Sequence, residues 1–470
     1  MTGRTLGMLI VMIIYLCLMI VIGVIYSKKN NDVSDFYLGG RKLGPFVTAM
    51  SAEASDMSSW LLMGLPGLAY LSGCAEPGWT AIGLAIGTYL NWLIVAKRLR
   101  KYSHKANNSI TIPSFFANRY RDKSNSLLAI SAIMIVIFFV PYTASGFAAC
   151  GKLFATLFGV PYLPAMIISA IVIVAYTSLG GFLAASMTDL IQSIIMTAAL
   201  VVVLLYGTHM AGGVDAVISN AQSLTSYLDL LASHNPATGG SVPYSGLTIA
   251  STLAWGLGYF GMPHVLLRFM GIEDENKLKL SRRIASVWVV IAMFIAIAIG
   301  IIGNAMTKAG VLDTLVTSSE SETLIVRIAM LISNHGFVAI LVAGLILAGI
   351  LASTMSTSDS QLLAASSSIS ENLLGDCLGL KLSHDYGSCN RYHHRSHRRI
   401  PGKKSGQLRI PYRILCMGRI WCDFRCRYAL LPFLETCKQK RCSRRYDRWW
   451  CYGIYLEIPH CSDWRHLRHL

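Results

Sequence analysis

Apolar residues along this chain gather into runs about as long as a bilayer is thick, separated by short polar stretches that carry most of the charges. A helix needs about 20 apolar residues to cross the hydrocarbon layer. Nine runs meet that length, near 6–26, 43–72, 78–97, 125–149, 161–179, 190–212, 246–267, 284–307 and 336–370, and each predicts a spanning helix. The first, Leu6–Tyr26, is longer than a secretory h-region and ends in Ser27-Lys28-Lys29, so it reads as a retained span. A shorter apolar stretch, Leu324–Ile332, is interrupted by Arg327 and is expected to lie on the outer surface.

The loops set the orientation. With the N-terminus outside, the cytoplasmic segments hold seventeen Lys and Arg, among them Lys28, Lys29, Arg41, Lys42, the cluster from Lys97 to Lys123, and Arg268 to Arg283. The outer side holds four: Arg4, Lys152, Lys308 and Arg327. Basic residues are retained on the cytoplasmic side, so the N-terminus and the long loop 208–246, which lacks Lys and Arg, are placed outside.

Composition agrees: 54% of the residues are hydrophobic, 14% are charged, and the mean hydropathy is +0.51. Soluble domains carry roughly a quarter charged residues, so a water-soluble fold is excluded. The formal charge of +17 is uneven. Residues 1–376 hold 21 Lys and Arg against 18 Asp and Glu, whereas 377–470 hold 20 against 6, together with nine of the twelve cysteines. The excess belongs to the tail and gives no reason to expect a nucleic-acid partner. No phosphate loop accompanies the spans, which argues against an ATP-driven pump, and no His-Glu-x-x-His or Gly-x-Ser-x-Gly pattern suggests an enzyme.

Candidate chemistry sits in the second and ninth spans. The second carries Glu53 and Asp56 at mid-span and Gly64, Pro66 and Gly67 soon after. A carboxylate at the bilayer centre costs roughly 3 kcal/mol and ordinarily faces a cavity. Backbone carbonyls freed by Gly and Pro are tolerated only against protein or a wet site. A discontinuous helix of the kind that binds ions and substrates is therefore expected here; a kinked structural helix with a buried polar pair is the plainer alternative. In the ninth span Ser353, Ser356 and Thr357 stand at i, i+3 and i+4, on one face. Hard cations take oxygen ligands, and carbonyls at Ala54 and Met57 could complete such a cage. Small hydroxyl residues also simply permit close helix packing.

Several stretches resemble the sodium/solute symporter family, and more closely its proline-transporting branch. They are Tyr37–Phe46, Ser55–Gly67, Phe138–Gly146, Gly180–Asp189, Trp255–His264 with Arg268 and Phe269, and Met355–Thr357. The resemblance covers about residues 1–372. It implies an all-α polytopic membrane protein with a five-plus-five inverted-repeat core containing a discontinuous helix, and here an incomplete second repeat. It implies Na+-driven uptake of L-proline at the cell membrane, with Na+ as coupling ion and no organic cofactor. Sodium would be held by Ala54, Met57, Ser353, Ser356 and Thr357, in a site shaped by Asp56, Ser58, Trp60 and Gly64, with Asp189 helping sodium enter or exchange. Proline would be met by Tyr142, Trp255, Tyr259 and Pro263, and Arg41 would lie near the inner gate. Alternatives are another small organic solute such as pantothenate, or a non-transporting or sensor-like membrane protein. Glu53 departs from the pattern, standing where the family usually has glycine, and Met262 replaces a polar residue.

After about Gly375 the resemblance stops. The tail 376–470 is basic and Cys-rich, with Cys422-x-x-x-Cys426 and Cys437-x-x-x-x-Cys442 spaced too loosely for a strong zinc signal. A zinc-binding domain and a lipid-binding basic segment are minor readings. The favoured expectation is an out-of-frame, disordered tail. Shifted by one nucleotide, the codons of Arg409 to Cys422 permit Ser-Tyr-Ala-Trp-Ala-Gly-Phe-Gly-Ala, which resembles the family's next span; Met417-Gly418 forces the Trp and Trp421-Cys422 the second Gly. On that expectation this chain inserts nine spans and transports proline poorly or not at all.

Overall fold

The computed structural model describes residues 3–377; the expectations for the tail beyond Cys377 lie outside the described residues. Each of the nine expected stretches is helical along most of its length. Among the described residues six continuous helices are long and apolar enough to cross a membrane. The count is below nine because two spans are broken and two run together.

The first span, Gly3–Ser27, buries a stripe of Met8, Met12, Tyr15 and Met19 and exposes Ile10, Ile14, Leu18 and Val21 on the other face. This pattern suits a helix with protein on one side and lipid on the other. The second span is Pro45–Met57, a wide turn at Trp60–Gly64 and Leu65–Ser72. The third is Ala75–Lys105 and the fourth Ser126–Phe158. The fifth and sixth form Tyr162–Met210, divided at Gly181 with φ 62°. A side chain on Gly181 would meet the Phe36 carbonyl at 2.7 Å, so close approach as well as a left-handed backbone requires glycine there.

The seventh span is also broken, into Gly246–Leu253, a tight 3-10 segment Ala254–Gly261, and Pro263–Gly271. Gly256, Gly258, Gly261 and Pro263 in quick succession account for this. Gly83 and Gly87 of the third span let it pack against the backbone of Leu253 and Gly256. Asn91 Nδ2 then satisfies the Tyr259 carbonyl at 3.0 Å. The eighth span is Leu278–Lys308 and the ninth Phe337–Cys377.

The loops expected on each side of the membrane come together with one another. Arg41 donates to Asn108 Oδ1 at 3.0 Å, to Ser103 Oγ at 3.2 Å, and to the carbonyls of Met270 at 2.7 Å and Ser109 at 2.8 Å. Leu43 pairs with Ile272 in an isolated bridge. The long loop contains a hairpin, Ala232–Asn235 with Gly240–Pro243. The loop meets the ends of other spans, where the Tyr227 hydroxyl donates to the carbonyls of Ala69 at 2.8 Å and Tyr70 at 2.9 Å.

Two sequence expectations need correction. Leu324–Ile332 does not lie flat on the surface. Leu324, Ile325, Val326, Ile328, Ala329 and Ile332 are buried, Leu324 seating against Gly303 of the eighth span. Its apolar residues recur at helical spacing and make one inward face, and half-buried Arg327 sits on the other. Arg268, counted among the cytoplasmic charges, is completely buried.

Candidate ion and solute site

The second span breaks at Ser58, not at the Gly64–Gly67 cluster that suggested a break. Ser58 has φ 50° and ψ −169°, a conformation that costs a non-glycine residue roughly 1–3 kcal/mol. Gly64 and Gly67 serve close packing instead: a side chain on Gly64 would strike the Trp60 ring at 2.6 Å, and one on Gly67 the Ser321 backbone at 2.8 Å. Ending the first half-helix at Met57 leaves its last carbonyls without intrahelical partners.

The ninth span meets that broken end. Ser356 Oγ donates to the Ala54 carbonyl at 2.8 Å, joining two of the five expected sodium oxygens directly. Ser353 Oγ donates to the Ile350 carbonyl at 2.8 Å, and Thr357 Oγ1 to the Ser353 carbonyl at 3.3 Å. Ser353, Ser356 and Thr357 are all buried, as are Ala54 and Met57. The hydroxyls donate to backbone carbonyls, so their lone pairs stay available to a hard cation.

Beside this cluster lies a small cavity of about 40 Å³. It is lined by Ser58 and Ser59 of the second span, Tyr142 and Ser145 of the fourth, and Thr354, Thr357 and Gln361 of the ninth. Pro141 lies inside the fourth helix immediately before Tyr142. The cavity is far smaller than the 300–1,000 Å³ typical of drug-sized sites. Of the four residues expected to meet proline, Tyr142 lines this cavity. Trp255 instead packs on Trp60, ring centroids 5.2 Å apart, and is half exposed. Tyr259 is buried, its phenol facing Asp56 and Thr88, and Pro263 opens the second half of the broken seventh span.

Glu53 is buried and accepts a hydrogen bond from Trp92 Nε1 at 3.0 Å; Trp92 in turn packs on Phe269 at 4.4 Å. The extra carboxylate is therefore held by a donor from the third span. Arg41, outside the spans, is pulled down to about 10 by burial and by the nearby Arg100 charge, and stays protonated at neutral pH.

Asp189 is not open to the cavity. It forms a buried ion pair with Arg268 at 3.0 Å and accepts from Ser51 Oγ at 2.6 Å. Arg268 also donates to Ser51 Oγ at 3.0 Å, to the His264 carbonyl at 2.9 Å, and to Ser360 Oγ. Ser360 passes the network on to Asp359 at 2.9 Å, whose other oxygen accepts from Tyr176 at 2.7 Å. Arg268 thus ties the second, sixth, seventh and ninth spans together. Asp359, Ser360 and Gln361 escaped the sequence reading. The mid-span carboxylate argument that singled out Asp56 applies equally to Asp359 and would have found it.

Residues 36–377 match the model of the sodium:solute symporter family. The chain is 43% identical to a sodium/proline symporter of Haemophilus influenzae, over 77% of this chain and 70% of that protein. It is 41% identical to an osmoregulated proline transporter of Bacillus subtilis, over 77% and 69%, and 40% identical to the sodium/proline symporter of Escherichia coli, over 78% and 70%. Among solved structures, a Na+-coupled sialic acid symporter in a substrate-bound, outward-open state superposes with a TM-score of 0.66 at 19% identity, covering 80% of this chain and 75% of that one.

Proposed function

We propose, from the premise that this chain belongs to the sodium:solute symporter family, that it couples inward movement of Na+ to uptake of L-proline across the cell membrane. The observation that carries the reading is the Ser356–Ala54 contact, which joins the hydroxyl face of the ninth span to the broken end of the second. Sodium would be held by the carbonyls of Ala54 and Met57 and the hydroxyls of Ser353, Ser356 and Thr357. Asp56, Ser58, Trp60 and Gly64 would shape that cage, Ser58 through its backbone conformation and Gly64 by admitting the Trp60 ring. Asp189 would act through Arg268 and Ser51 on the helix that carries the cage, because its carboxylate is committed to them.

Thr357 belongs both to the proposed cage and to the cavity wall, and Ser58 follows Met57 directly. An ion drawing these oxygens together would set the wall that proline meets, a physical route for coupling. Tyr142 would form part of that wall, with Trp255, Tyr259 and Pro263 reaching it as the broken seventh span moves. Arg41, fixed by four hydrogen bonds, would hold the cytoplasmic ends together. One charge moving down 100 mV supplies roughly 2.3 kcal/mol. A tenfold Na+ gradient raises the total to about 3.7 kcal/mol, enough for roughly 500-fold accumulation.

Purified full-length chain should bind labelled L-proline in Na+, and excess unlabelled L-proline should displace it. Pantothenate and sialic acid at the same excess should not. Displacement by pantothenate at equal or lower concentration would assign the cavity to that solute.

A further inference from the structure

We propose that Gln361 is a specificity-determining residue whose carboxamide binds the zwitterionic head of the transported amino acid, the amide N–H meeting the carboxylate and the amide oxygen meeting the ammonium. The proposal deepens the proline-symport reading and rests on it. Gln361 stands one helical turn beyond Thr357, on the face of the ninth span that bears the hydroxyl cluster. It lines the cavity and is completely buried; its carboxamide faces the Tyr142 hydroxyl, and neither Nε2 nor Oε1 makes a hydrogen bond of good geometry among the described residues.

That condition is unusual. At least about 90% of buried polar groups find a partner, and each one left unpaired costs roughly 1–3 kcal/mol. A side chain kept for packing alone could be leucine or methionine at no such cost. The amide offers donors on one side and acceptor lone pairs on the other, and so it fits a ligand presenting an acceptor and a donor close together. None of the residues lining the cavity carries a formal charge. A net anion or a net cation would go uncompensated there, whereas an amino-acid head is neutral as a whole. Its carboxylate can also lie toward the Thr357 end, where the sodium cage supplies a positive charge.

The test uses the purified full chain and two ligands, L-proline and its N,N-dimethyl derivative, which keeps the positive nitrogen but has no N–H to donate. Wild type should favour proline. In Gln361→Leu, proline affinity should fall about 10- to 100-fold, the range for hydrogen bonds to charged groups, and the preference over the dimethyl derivative should shrink to within threefold. Sodium-induced Trp fluorescence without substrate should be unchanged, showing that the variant folds. Should Gln361→Leu fail that check, Gln361→Asn, which keeps the amide but shortens its reach, supplies the same comparison. Proline affinity within threefold of wild type, or an equal loss for both ligands, would overturn the assignment and leave a water-filled or structural amide. A wild type that ignores proline but binds another amino acid overturns the proline reading alone, and the N-methylated form of that amino acid then tests Gln361. Binding of no amino acid overturns both.

Discussion

Replacing Ser356 and Thr357 together with alanine should raise the Na+ concentration that half-saturates proline binding by about 100-fold. Each substitution removes one hydroxyl oxygen from a charged ligand, at roughly 1.5 kcal/mol or more apiece, and 3 kcal/mol is about two decades of affinity. The packing cost is small by comparison, since alanine fills nearly the same space in a helix of buried small residues. Thermal unfolding of the variant without sodium should therefore stay within a few degrees of wild type, while the stabilisation that sodium gives wild type disappears. Unchanged sodium dependence would place the ion elsewhere, whatever happened to stability.

Arg268→Met is expected to have the largest effect on stability. The guanidinium partners Asp189 directly and Asp359 through Ser360, all fully buried. Removing one partner of a buried ion pair typically costs about 3–5 kcal/mol, because the other charge is stranded. The yield of folded protein should collapse and the thermal midpoint should fall by many degrees. The second change Asp189→Asn should recover part of that loss, since it discharges the stranded partner. If Arg268→Met with Asp189→Asn is no more stable than Arg268→Met alone, the ion pair does not hold the spans together. Arg268→Lys keeps the charge but not the planar fork that reaches Asp189, Ser51 and Ser360, and should be intermediate.

How far the sequence carried these conclusions depended on the kind of signal. Spans were legible because insertion depends on summed hydropathy over about twenty residues, which survives local irregularity; even broken spans 43–72 and 246–267 were located. Where a helix breaks was less legible. Gly64 and Gly67 looked like breakers but admit neighbouring groups, whereas the break falls at Ser58, a residue with no special propensity for positive φ. The Ser353, Ser356 and Thr357 face was readable from helical spacing alone, yet its meeting with Ala54 is a long-range contact that periodicity cannot specify. Arg268 was misread because an arginine near a span end ordinarily lies in the loop. Only packing against the sixth and ninth spans shows that it pairs inside. Gln361 was invisible for a related reason: its meaning lies in the cavity it lines with Tyr142, a neighbour far away in sequence.

Sodium and proline binding measured reciprocally on the purified full chain test the central claim most directly. If the two ligands share Thr357 and the Ser58 break, each must raise the affinity for the other by the same factor, as linkage requires of any coupled pair. The account predicts that replacing K+ with Na+ tightens proline binding at least about tenfold, within the ordinary range of coupling energies, and that saturating proline tightens Na+ binding equally. Proline bound with the same affinity in Na+ and in K+ would contradict it.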